Sequence, residues 1–141
     1  FRLAFKNCPP EVDGFLRTGD QGHKNDNGYL VLTGRIKELI NRSGEKISPL
    51  ELDNALLALP YVKEAVSFGV PDEMYGELVG AVVVLQGDAP ADVSQERIQA
   101  DLSKSLAKFK IPVRVWITDN IPKTYVLYPL TTALRAKFNA E

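Results

Sequence analysis

Three short glycine-centred segments carry the side chains of this chain that could do chemistry. In Arg17-Thr18-Gly19-Asp20 a carboxylate follows a glycine turn, a placement that can accept two vicinal hydroxyls, as acidic residues do with a ribose. A turn in which Asp20 bonds to its own backbone fits the same letters. In Gly34-Arg35-Ile36-Lys37-Glu38 the two cations alternate, so on a strand they share a face and could meet a ribose or a phosphate; a solvated strand face fits as well. In Arg42-Ser43-Gly44-Glu45-Lys46-Ile47-Ser48, Gly44 would let a ligand pass close to the backbone and Lys46 could meet a phosphate. The alternative is a plain hairpin turn ahead of a capped helix. His23 has no Ser or Cys partner at a legible spacing and reads as a surface turn residue.

The bulk properties exclude several other chemistries. With 17 basic and 18 acidic residues the net charge is −1, which gives no field to draw in nucleic acid or a membrane surface. Cys8 is the single cysteine and His23 the single histidine, so neither an internal disulfide nor a Cys/His zinc site can form from them alone. No apolar run approaches the roughly 18 residues that span a bilayer. There is no P-loop, GxGxxG, HExxH or GxSxG. The 141 residues suffice for about one domain. The start at Phe1, without a signal-peptide pattern, reads as a fragment or processed piece.

Elements must hold these segments in place. Asp26-Asn27-Gly28 is a turn signal, with Asn27-Gly28 predicting a hairpin and Tyr29–Thr33 leaving it as a strand. Ile36–Asn41 reads as a further strand, closed by Ser43-Gly44. Ser48-Pro49-Leu50-Glu51 predicts a capping box, with Ser48 as N-cap and Glu51 reaching back. The helix carries Leu52, Leu56 and Leu59 on one stripe and stops at Pro60. Val62–Val70 and Leu78–Leu85 are apolar strands around a Pro71-Asp72-Glu73 turn. A second helix starts at Ser94 with Ile98, Leu102 and Leu106 on one stripe. Val113, Val115 and Ile117 then alternate with polar partners and Trp116, as in a half-buried strand, with Trp116 a packing residue. The order predicts a small α+β domain with helices on a short sheet of about three strands, behind a strand-rich entry.

In series, these segments resemble one family. Gly14-Phe15-Leu16-Arg17-Thr18-Gly19-Asp20, Gly28-Tyr29-Leu30, Gly34 to Ile40, Gly44 to Leu52, Phe68-Gly69-Val70-Pro71-Asp72, Tyr75-Gly76-Glu77, Phe109-Lys110-Ile111-Pro112 and Ile121-Pro122-Lys123-Thr124 are similar to the late motifs of AMP-forming acyl- and aryl-CoA synthetases. The wording is nearest to an oxalate–CoA ligase-like, peroxisomal branch. The resemblance implies adenylation of a carboxylic acid by ATP, with Mg2+, followed by attack of the CoA thiol. A small C-terminal domain would rotate about a hinge between the two steps. It implies that Asp20 holds the AMP ribose hydroxyls, that Arg35 touches the same ribose or the phosphate, and that Lys37 is the hinge. Ser43 and Gly44 would border the CoA channel, and Lys46 would meet the AMP phosphate. Residues 1–36 would close a large N-terminal adenylating domain, the partner without which the chain is inactive, and 37–141 would be the mobile domain. A peroxisomal or cytoplasmic location follows by analogy alone.

The resemblance breaks after Thr124. The family continues with Gly-Lys; here Leu127 and Tyr128 occupy those positions in an apolar run from Tyr125. The missing lysine would offset negative charge gathering in the adenylation transition state, and a neutral phenol cannot. Lys123 is not its positional equivalent. The abrupt change reads as an altered frame or splice, and Asn139-Ala140-Glu141 lacks a Ser-Lys-Leu type address. Two other readings stay open: a non-catalytic remnant serving as an interaction module, and an adenylating enzyme whose acceptor is a carrier-protein thiol or an oxygen.

Overall fold

The computed structural model describes residues 18–122. The chain divides into two compact units, Phe1–Lys37 and Glu38–Glu141. In the first, β1 (Asp20–Lys24) and β2 (Leu30–Arg35) form an antiparallel hairpin, with a bulge between Gln21 and Gly22. The turn is longer than the Asn27-Gly28 pair predicts. Gly28 N–H donates to the Asn25 carbonyl and Asn25 N–H to the Tyr29 carbonyl, both at 2.9 Å. Gly28 takes positive φ and Asn27 does not, the pattern of a type I turn closed by one left-handed residue. His23 lies within β1 rather than in a turn. None of the described residues of this unit is buried.

Beyond β2 the predicted strand over Ile36–Asn41 is a 3-10 turn, Ile36–Glu38, followed by the short β3 (Ile40–Arg42). Here Ile36 N–H donates back to the Gly19 carbonyl at 2.9 Å, closing the first hairpin. Strand pairing resumes only where β3 meets β4 (Glu45–Ile47).

Helix α1 (Pro49–Leu57) starts at Ser48 with Pro49 in its first turn, and the Ser48 side chain forms no cap hydrogen bond, so that half of the predicted capping box is not made. The Glu51 carboxylate is held by Lys110 Nζ at 2.6 and 2.8 Å. Leu52 and Leu56 are buried, while Leu59 lies past the end of the helix. The two long strands, β5 (Val62–Asp72) and β6 (Gly76–Leu85), form the main hairpin. Its turn is fastened by Asp72 Oδ1, which accepts from the amides of Met74 and Tyr75. Helix α2 (Gln95–Leu102) is capped by Ser94 Oγ, accepting from Arg97 N–H at 3.4 Å. The last strand, β7 (Arg114–Ile117), runs parallel to β6.

Among the described residues the sheet has five strands, in the order β4-β3-β6-β5 with β7 also on β6. Three of them are the strands the periodicity predicts; β3 and β4, of three residues each, are too short to show alternation. β6 is central and buried on both faces, as a continuous apolar run requires. Val79, Ala81 and Val83 pack toward Leu52 and Leu56 of α1 and Ile98 and Leu102 of α2. Val82 and Val84 face Val66, Phe68 and Ile121. Trp116 is a packing residue, stacked on Phe68 at 5.9 Å between ring centres. β7 departs from simple alternation: Val115 is buried, whereas Val113 and Ile117 are exposed. The α2 side reaches only Val115, and Trp116 supplies the packing on the other face.

Candidate functional site

The first candidate pair is brought together by register. Asp20 opens β1 and Arg35 closes β2 as its direct cross-strand partner, which places Arg35 Nε 3.4 Å from Asp20 Oδ1. The turn chemistry falls to Thr18, whose Oγ1 accepts from Asp20 N–H at 3.1 Å. Asp20's carboxylate is thus free of the turn and stands beside a guanidinium, with the two side chains 33% and 66% exposed. A carboxylate able to accept vicinal hydroxyls beside a fork of donors suits a ribose and its phosphate. Lys37 does not join them. It lies in the 3-10 turn, off the strand that carries Arg35, so the shared cationic face is not formed.

The second group sits on the β3–β4 hairpin. Ser43 and Gly44 form its turn with φ of 49° and 93°, both positive, as the primed turn of a tight hairpin requires. Ser43 is the sole non-glycine residue with positive φ among the described residues. No atom lies within 4 Å of the place where a Gly44 side chain would begin, so the backbone there is open to an approaching molecule. Lys46 is exposed on β4, opposite Asn41. Tyr128, like Lys123 and Leu127, lies outside the described residues.

The pairings of several further residues bear no legible signal in the sequence, because the partners are far along the chain. The Arg42 guanidinium lies 4.4 Å over the Tyr75 ring. Glu77 Oε2 accepts from Asn41 N–H at 2.7 Å. In α1, Asp53 accepts from Ser67 N–H at 2.6 Å. Burial pushes its carboxyl up from 3.8 to about 7, and the charge of Glu38 adds to that while the bonds from Ser67 oppose it.

Among the described residues no group of three His, Cys, Asp or Glu side chains is gathered for a metal ion. An open cleft of about 550 Å³ lies elsewhere, lined by Tyr61, Arg97, Asp101 and Lys104 among others. None of the candidate residues lines it, and its cations are taken: Lys104 pairs with Asp101 and Arg97 with Asp92. No helix among the described residues is long and apolar enough to cross a membrane.

Comparison with known proteins gives the arrangement a context. Residues 51–126 match the model of the AMP-binding enzyme C-terminal domain. The chain is 54% identical over 112 residues to an oxalate–CoA ligase of Saccharomyces cerevisiae, covering 79% of this chain and 20% of that protein. Among solved structures, ATP-bound MatB from Rhodopseudomonas palustris superposes with a TM-score of 0.83 at 33% identity, over 92% of this chain and 25% of that one. The o-succinylbenzoate CoA synthetase of Bacillus subtilis, in complex with its acyl-adenylate intermediate, gives 0.80 at 33% identity, over 89% and 25%. The chain therefore spans about a fifth to a quarter of the length of these relatives.

Proposed function

The chain belongs to the AMP-binding enzyme C-terminal domain family, and from that premise we propose that it is the mobile C-terminal part of an ATP-dependent, AMP-forming acid–CoA ligase. The observation that carries this reading is the Ser43-Gly44 turn, whose positive φ values and the open space beside Gly44 expose backbone at a hairpin tip near the exposed Lys46. A pantetheine arm could pass such a tip, and a side chain at residue 44 would obstruct it. Asp20 would take the ribose hydroxyls, Arg35 the ribose or phosphate, and Lys46 the AMP phosphate during thioester formation. Lys37, in the turn at the division between the two units, would be the hinge, with 1–36 ending a large N-terminal adenylating domain and 37–141 moving. Mg2+ would arrive with the nucleotide phosphates. Adenylation would be lost, because Tyr128 stands where the lysine is expected. Location in peroxisome or cytoplasm is carried by analogy with the oxalate–CoA ligase-like branch.

A second reading, a non-catalytic remnant, is favoured by one observation: the family match stops at Val126, just short of Leu127 and Tyr128. Fusing the chain to the N-terminal domain of a matching ligase separates the two. Pyrophosphate exchange and thioester formation from synthetic acyl-AMP are assayed independently. Thioester without exchange is expected, and Leu127→Gly with Tyr128→Lys should restore exchange. Loss of both activities would favour the remnant. A carrier-protein thiol accepted in place of CoA would redirect the acceptor assignment.

A further inference from the structure

The β3–β4 hairpin is tied to the rest of its sheet by little backbone. Its ladder to β6 holds one register pair, Arg42 with Gly76, and Ser43 N–H donates to the Tyr75 carbonyl at 2.8 Å. One step back along β3 the amide of Asn41 goes to a side chain, donating to Glu77 Oε2 at 2.7 Å. A charged acceptor makes this stronger than an ordinary ladder bond. Gly69 on β5 makes room for it. A Cβ at Gly69 would lie 2.7 Å from both the Glu77 carboxyl carbon and Oε1, so any side chain there would push the carboxylate away. Asn41 is in turn the cross-strand partner of Lys46, and it lies shortly past Lys37.

Resting on the ligase reading, we infer that Glu77 is a positioning residue for thioester formation: its carboxylate locks Asn41 to the sheet. Through Asn41 it fixes the Ser43-Gly44 turn and Lys46. The grip adds to the single Arg42–Gly76 register pair and to the burial of Ile40 in holding β3 against β6. The Arg42–Tyr75 stack braces the same corner.

Backbone amide exchange on the 141-residue chain tests the lock without any assumption about activity. In Glu77→Ala and Gly69→Ala the Asn41 and Ser43 amides should exchange about 10-fold faster, and in Glu77→Gln, which keeps a carbonyl acceptor, much less so. Val82 and Ile98 should be unchanged. Unaltered Asn41 exchange in Glu77→Ala would overturn the proposal, as would equal acceleration at Val82, which marks general loosening. In the fusion, Glu77→Ala should slow turnover from acyl-AMP to thioester by about 10-fold with KM for CoA little changed, and Gln should restore most of it. A change in KM alone, or none, would overturn the positioning role. A wild-type fusion that makes no thioester would instead overturn the ligase reading, leaving the exchange data to decide the lock.

Discussion

Gly44 shows what a single residue contributes to this site. Its φ of 93° and the empty space beside it mean that a side chain there would meet conformational strain but no neighbour. Gly44→Val should therefore cost about 1–2 kcal/mol of local strain and, on the proposed function, block the acceptor's path. In a fusion carrying Leu127→Gly and Tyr128→Lys, thioester formation should fall at least about 10-fold while pyrophosphate exchange holds. Equal loss of both would show that the substitution merely disturbs the hairpin. The types of these residues were legible in the sequence, since glycine, aspartate and arginine in turns restrict what a segment can do. Their pairings were not. Asp20 meets Arg35 only because the bulge at Gln21/Gly22 sets the register, and Glu77 meets Asn41 across 36 positions of sequence.

At the scale of elements, long periodic segments were readable and short ones were not. α1, α2, β5 and β6 lie where apolar stripes and runs place them, because each buries enough side chains for the pattern to be visible. The segment over Ile36–Asn41 has strand-like composition, yet its first residues turn back to bond with Gly19. Glu51 also meets Lys110, a cation 59 positions along the chain that only the fold brings near. In and beside the β1–β2 hairpin, Tyr29, Leu30, Leu32 and Ile36 are 72%, 71%, 55% and 60% exposed, and a two-stranded hairpin without a core is marginal in water. Its amides, His23 and Val31 among them, should exchange at close to unstructured rates in the chain alone. Those of β5 and β6 should be the slowest. Fusion to the N-terminal domain should slow the hairpin's exchange by at least about 10-fold, and a hairpin already protected in the isolated chain would contradict this.

At the scale of the whole molecule, the buried Asp53 carboxyl makes stability depend on pH near neutrality. Asp53 is anchored to Ser67, and its carboxyl rises to about 7 chiefly through burial. The folded state then keeps a proton that the unfolded chain releases near pH 4. The stabilisation is full below about pH 4, declines as pH climbs, and is gone above about 7. The melting temperature should therefore fall between about pH 4 and 7 in the wild-type chain. Asp53→Asn cannot ionise, and its melting curve should be distinctly flatter over that interval. The same slope in both proteins would assign the pH dependence to other groups.

By itself the sequence determined the α+β class, the long elements, and a family resemblance carried by an ordered series of turn motifs. Local propensity and burial periodicity are properties of neighbouring residues, and a string records neighbours. Only the tertiary structure decided that β3 and β4 widen the sheet, that Lys37 leaves Arg35's strand, that Asp20 faces Arg35, and that Glu77 grips Asn41 over Gly69. Each of these depends on register and on groups distant in sequence becoming adjacent, set by the β1–β2 hairpin for Asp20, Arg35 and Lys37 and by the closing of the five-stranded sheet and its core for the rest.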